Sequence, residues 1–133
     1  MRLDSIELDD QLAWVDEFDW DAVAQDQQRS ITGALLVQEG IKLHGRPITL
    51  RSDEGAWTPL SVVRKLEKLR DEPRRLMQLN LADGREFSVI FNRQAGSPLE
   101  AIPLFREVSP APDADYLLTI RLITVAPPQQ PEP

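Results

Sequence analysis

Residues 76–92, which read LMQLNLADGREFSVIFN, decide the fold of this chain. Apolar and polar residues alternate on both sides of an Asp-Gly pair, the pattern of two antiparallel strands with one buried face. A three-residue loop pairs Leu79 with Phe87 and keeps that face apolar, whereas a two-residue turn would mix apolar and polar residues on it. We therefore predict the three-residue loop, with Gly84 in the left-handed bulge position.

A helix is predicted immediately before this hairpin. Thr58 is a favourable N-cap, and Pro59 fits the first helical position because its missing N–H is not needed there. Four apolar residues then recur at helical spacing: Val62, Val63, Leu66 and Leu69. Pro73 ends the helix, because the residue before a proline avoids helical geometry.

The remaining elements follow from alternation and turn signals. In chain order, we expect a short strand at 12–15, an irregular acidic stretch to Gln28, and strands over 30–38, 48–50, 99–105 and 116–125. Pro103 makes the segment 99–105 an edge strand or a loop. The final strand is apolar on both faces, so it is either central in a sandwich or covered by a partner.

The predicted fold class is mainly β (α+β): a small antiparallel β-barrel or sandwich with one packed α-helix and extended N- and C-terminal arms. The length of 133 residues suits one domain. We place that domain at residues 1–125, with an N-terminal arm at about 1–28 and a Pro-rich tail at 126–133. We expect neither a signal peptide nor a membrane span, since no apolar run is long enough.

Negative charge is concentrated at the N-terminus. Residues 1–28 hold nine acidic residues and one basic residue, a net charge of −8, while the other 105 residues carry a net +1. Such a segment repels phosphates, so we expect no sequence-specific nucleic-acid binding. It docks on a basic partner, lines a surface that nucleic acid passes, or is a solvated acidic face.

Two groups of residues are candidates for an interface. The acidic segment contains aromatic residues that need a place to pack, either in their own domain or on a neighbouring subunit: Trp14, Phe18 and Trp20. The helix and the residues after it are basic, with a net charge of +3 over 64–75. This face is either solvated or a docking face for a neighbour's acidic arm, and its candidates are Arg64, Lys68 and Arg70.

The sequence offers little catalytic chemistry. Cysteine is absent, and His44 is the one histidine, in a predicted turn. The six glycines are scattered and form no phosphate-binding loop. The acids around Asp16 lack the glycine and distal glutamate of a calcium loop. We therefore predict no catalytic, metal or cofactor-binding residues, no cofactor, no small-molecule substrate and no enzymatic activity.

Several segments resemble small structural proteins of tailed-bacteriophage tails and baseplates, including related prophage and pyocin-like particles. They are WVDEFDW at 14–20, TGALL at 32–36, GRPITL at 45–50, Trp57 before the helix, and DGREFSV at 83–89. Together they run over most of residues 12–92, while residues 93–133 match only in general pattern.

The resemblance implies a virion structural protein, made in the host cytoplasm and located in the virion tail. It would be a tail-tube or distal-tail-like subunit of a ring, commonly a hexamer, whose partners are itself and other tail or baseplate proteins. The alternative is a small acidic phage or bacterial adaptor or inhibitor that binds a basic partner surface.

Overall fold

The computed structural model describes residues 1–52, 57–94, 96–105 and 108–127. These ranges contain one helix, α1 (Leu60–Arg70), and eleven strands. The strands are β1 (Arg2–Leu3), β2 (Ile6–Glu7), β3 (Ala13–Trp14), β4 (Val23–Arg29), β5 (Leu35–Ile41), β6 (Pro47–Arg51), β7 (Thr58–Pro59), β8 (Met77–Asn80), β9 (Glu86–Phe91), β10 (Leu99–Pro103) and β11 (Asp115–Thr124).

Nine of these strands form one antiparallel sheet with the order β2-β1-β8-β9-β11-β6-β3, in which β7 and β10 also pair with β11. Within the described residues, the end strands β2 and β3 pair only with β1 and β6, so the sheet does not close into a barrel. The predicted class is confirmed as mainly β, antiparallel and sandwich-like with one helix.

Strand β11 is the centre of the sheet. It pairs with β9 and β10 on one side and with β6 and β7 on the other. Its residues Leu118, Ile120 and Leu122 are buried, whereas Leu117 and Ile123 on the other face are half-buried. The two apolar faces of this strand therefore fit the central position. Strand β10 lies at an edge, as its proline predicts.

The core lies between the sheet and α1, which packs against β2, β7, β10 and β11. Val63 and Leu66 of the helix are buried there together with Leu50 and Leu79 of the sheet. Fully burying one such side chain contributes roughly 1.5–3 kcal/mol. This core joins α1 to the nine-stranded sheet.

The hairpin of β8 and β9 has the predicted register. Leu79 pairs with Phe87, and Met77 pairs with Val89. The backbone N–H of Leu81 donates to the carbonyl of Arg85 at 2.8 Å, which closes the three-residue loop. Gly84 has φ +96°, the left-handed conformation expected of it.

The helix itself is confirmed, but the predicted cap is wrong. Thr58 pairs with Tyr116 in the sheet, and Pro59 is the residue that precedes the first helical turn, with ψ 149°. Backbone carbonyls from a distant loop replace the side-chain cap: Leu60 N–H donates to Ala114 at 2.9 Å, and Ser61 N–H donates to Pro112 at 3.0 Å. Thr58, which the local sequence favours as a cap, therefore pairs in the sheet and does not cap the helix.

The predictions between residues 15 and 41 are partly wrong. The stretch expected to be irregular contains β4, and the strand expected over 30–38 begins only at Leu35, because residues 30–34 form a turn in which Gly33 has φ +85°. Strand β4 begins with Val23 and Ala24 and is polar from Gln25 onward, so it gives no alternation to read. Its pairing with β5 forms a separate two-stranded sheet.

The N-terminal segment differs from an extended arm over its first part. Leu3, Ile6, Leu8 and Leu12 are buried in the core, and β1 and β3 belong to the main sheet. In the Pro-rich tail, residues 128–133 lie outside the described residues. A search of the described residues for a helix long and apolar enough to cross a membrane finds none.

Candidate functional site

The segment from Trp14 to Trp20 forms a loop that is fastened to strand β6. The N–H of Val15 donates to the Thr49 carbonyl at 3.0 Å. The Asp16 carboxylate accepts two hydrogen bonds from Thr49, one from its N–H at 2.8 Å and one from its hydroxyl at 2.9 Å. Asp16 thus holds the loop in one position against the sheet, which is a structural task for one of the acidic residues.

Arg46 joins the two tryptophans of this loop. Its guanidinium carbon lies 4.4 Å from the ring centroid of Trp14 and 5.7 Å from that of Trp20. The same guanidinium donates to the backbone carbonyl of Glu17 at 2.7 Å. Lys42 also lies over Trp20, at 5.6 Å. Cation–π contacts of this kind contribute about 0.5–2 kcal/mol each, so they fix both ends of the loop.

A second arginine, Arg85, closes the loop from the β8–β9 turn. It lies 5.4 Å from the Trp14 ring and donates to the carboxylates of Glu17 and Asp83, both at 2.7 Å. These carboxylates raise the pKa of Arg85, the hydrogen bond to Glu17 first. The pKa of Asp83 is lowered, mainly because it accepts the backbone N–H of Arg85. Trp14 meets Phe87 edge-on, with centroids 5.6 Å apart.

Phe18 stands apart from this cluster. Its side chain is 91% exposed, whereas Trp14 and Trp20 are half-buried. Its neighbours in the loop are Glu17, which is paired with Arg85, and Asp19, which forms no ion pair among the described residues. The aromatic candidates are therefore divided: two anchor the loop to its own domain, and the third is presented to solvent. A large exposed aromatic ring on a fixed loop is typical of an interface anchor.

The basic candidates on α1 are surface residues. Arg64 pairs with Glu67 at 3.3 Å, and Arg70 pairs with Asp71 at 3.2 Å. Lys68 is exposed and has no ion pair within the part of the chain that the structure describes. Exposed pairs of this kind contribute little to stability, so they leave the face basic and available. The described side-chain contacts do not connect this face to the Trp14–Trp20 loop.

Sequence reasoning missed the most exposed part of the molecule, the β4–β5 hairpin. Seven residue pairs join its strands, from Val23 with Ile41 to Arg29 with Leu35, and every residue in both strands is exposed. One face of the hairpin holds four large apolar side chains, Val23, Leu35, Val37 and Ile41, together with four polar ones, Gln25, Gln27, Arg29 and Glu39. Leu36 is exposed on the opposite face. The apolar run at 35–37 and the turn glycine at 33 were the signals for it.

In residues 1–52, 57–94, 96–105 and 108–127, no three His, Asp or Glu side chains are grouped so as to hold a metal ion. No protein-family model, curated protein or solved structure matches the chain. The function is therefore inferred from the surfaces that the chain itself presents.

Proposed function

We propose that this chain is a non-enzymatic virion structural protein, a subunit of a phage tail or baseplate ring that assembles through protein–protein contacts. The observation that carries the proposal is the β4–β5 hairpin. It has a regular seven-pair ladder, yet neither of its faces is covered by the rest of the described chain.

A hairpin in this state is unfavourable for a protein that acts alone. An isolated two-stranded hairpin is only marginally stable in water, and its outer edges present unpaired N–H and C=O groups to other strands. The face with Val23, Leu35, Val37 and Ile41 leaves apolar area in contact with water. Both properties are explained if the hairpin is completed by a neighbouring subunit.

The surfaces available for assembly are unlike one another, which favours a ring. The β4–β5 hairpin with its exposed apolar side chains, the acidic Trp14–Trp20 loop and the basic face of α1 are formed by different segments. Contacts between unlike patches are heterologous, and heterologous contacts close into rings when the rotation allows it. The resemblance of residues 12–92 to phage tail and baseplate proteins suggests the setting, a ring commonly of six copies in the virion tail.

The test is absolute mass by light scattering over a concentration series at low and high salt. The test variant is Val37→Lys, on the face that carries Val23, Leu35 and Ile41. Its matched control is Gln38→Lys, the next residue, on the opposite face of β5. Each change adds one positive charge at an exposed site. We expect Val37→Lys to abolish the larger species, and Gln38→Lys to retain it.

Negative-stain images of the associated fraction should show closed rings. A chain that is monomeric at every concentration and salt, and whose mass Val37→Lys does not change, would contradict self-assembly. That result would favour the alternative of a small acidic adaptor or inhibitor that binds a basic partner surface.

A further inference from the structure

A second exposed feature of the chain complements the Phe18 loop. A surface depression of about 190 Å³ lies where α1 has ended and β9 finishes. It is lined by Glu72, Arg74, Arg75, Ile90, Phe91 and Arg93. Its lining thus combines two apolar residues with three arginines and one carboxylate. Ile90 is half-buried and presents the accessible apolar side chain, whereas Phe91 is buried in the core. A cavity of about 150 Å³ is large enough to admit benzene, so the depression has room for a phenyl ring.

The depression is positively charged, and only some of its arginines have an ion-pair partner among the described residues. Glu72 pairs with Arg75 at 3.3 Å, and Asp4 approaches Arg75 at 3.6 Å, so Arg75 is neutralised within the chain. Arg74 and Arg93 form no ion pair among the described residues. These two cations are therefore available to an acidic partner.

Arg93 is held in place at the depression. Its guanidinium donates to the carbonyl of Arg70 and lies 5.9 Å from the ring centroid of Phe91. Because the guanidinium of Arg93 is already held in place, it can stack on an incoming aromatic ring at low entropic cost. The site is thus suited to an aromatic side chain with a carboxylate next to it.

We propose that the Phe18 loop of one copy docks in this arginine-lined depression of the next copy. Phe18 packs on the half-buried side chain of Ile90, and the Asp19 carboxylate pairs with Arg74 or Arg93. The inference rests on the proposed ring function and names one of the contacts that would build the ring. Charge complementarity selects a second copy: the depression is basic, and Phe18 lies in the most acidic segment of the same chain.

The two halves of this contact lie at opposite ends of one strand. Arg85, which holds Glu17 beside Phe18, precedes β9, and Phe91 is its last residue. Six strand residues span about 17 Å. The contact is therefore heterologous: residue 18 of one copy meets the depression of another, and each copy keeps one free half for the next neighbour.

Disulfide trapping tests the contact directly, because the chain has no cysteine of its own. Full-length Asp19→Cys, which gives up the carboxylate and keeps Phe18, is mixed with full-length Gln94→Cys, which places a thiol beside the depression and keeps all six lining residues. This pair therefore tests the Phe18 part of the contact. The matched control replaces Gln94→Cys with Ile102→Cys, an exposed site on β10. We expect mixed dimers to form at least tenfold faster with Gln94→Cys than with Ile102→Cys.

Adding Phe18→Ala to the Asp19→Cys chain should remove this excess. In otherwise unmodified chains, the same truncation should raise the dissociation constant of self-association about thirtyfold, the effect of removing an interface anchor. Arg74→Glu and Asp19→Lys should each weaken association about threefold, and their combination should restore it.

Equal trapping rates for the two pairs, or trapping that Phe18→Ala does not change, would overturn the contact. Its failure is distinguishable from failure of the proposed function. If Val37→Lys abolishes the larger species in light scattering while the two disulfide-trapping rates are equal, the proposed ring is supported and this contact is wrong. If trapping depends on Phe18 while Val37→Lys has no effect, the hairpin role is wrong and the contact stands.

Discussion

The chain contains two hairpins that look alike along the backbone and differ in their surroundings. The β8–β9 and β4–β5 hairpins are both antiparallel, and each has a glycine with positive φ in its loop, Gly84 and Gly33. The first hairpin buries one face in the core, whereas the second is exposed throughout. A regular ladder is therefore no measure of how firmly a segment belongs to its own domain; the burial of one face is.

The largest expected effect is a difference in stability between two variants that each truncate one leucine, one in each hairpin. Leu79→Ala removes a side chain that is fully buried, so we expect it to lower the free energy of unfolding by about 2–5 kcal/mol. Leu35→Ala removes an exposed one and should change it by less than about 0.5 kcal/mol. Urea unfolding with an unchanged m-value measures both. A comparable loss for Leu35→Ala would show that the exposed hairpin packs on its own domain.

A smaller effect comes from the two loop glycines. Gly84→Ala and Gly33→Ala each put a side chain at positive φ, with no atom close enough to clash with the new Cβ. The strain is about 1–2 kcal/mol in both loops. We expect Gly84→Ala to lower the free energy of global unfolding by that amount. We expect Gly33→Ala to leave the free energy of global unfolding unchanged and to speed amide hydrogen exchange in β4 and β5. Equal global losses would contradict the independence of the exposed hairpin.

The smallest effect is a pH dependence of the buried hairpin's turn. The pKa of Asp83 is lowered in the folded protein, chiefly by the backbone N–H of Arg85. The stabilisation is therefore present above the pKa of the unfolded chain and is lost as the pH falls through the lower folded value. We expect Asp83→Asn to be less stable than the parent near neutral pH and to converge with it in strong acid. An NMR titration of the Asp83 carboxyl that shows no lowered midpoint would contradict this.

The difference between the hairpins also explains what the sequence predicted. Alternation records burial, so Met77, Leu79 and Val89 identified their strands and their register. Residues 23–29 read VAQDQQR, and no face of that strand is buried, so nothing in its pattern marked it as a strand. The boundary of its partner was misplaced because Gly33 belongs to the turn.

The sequence predicted which residues belong to the candidate interface, but not which of their aromatic rings pack on the domain and which are exposed. An acidic segment with Trp14, Phe18 and Trp20 predicts that aromatic rings pack somewhere. Which rings pack inward depends on Arg46 and Arg85, which come from distant parts of the chain and lie against Trp14. The depression that Arg93 borders joins the end of β9 to the residues after α1, a juxtaposition with no local signature.

The place of β11 in the sheet has a consequence for the order in which the chain folds. Every strand that pairs with β11 precedes it in the sequence, including β6 and β7 on one side and β9 and β10 on the other. During synthesis, the edges of these strands that pair with β11 remain unpaired until residues 115–124 have been made. Their pairing spans long loops, so the search for it is slow compared with closing the β8–β9 turn. Completion of the main sheet is thus a late step in the folding of this domain, and chains in which residues 115–124 have not yet been made would be open to mispairing and to chaperones.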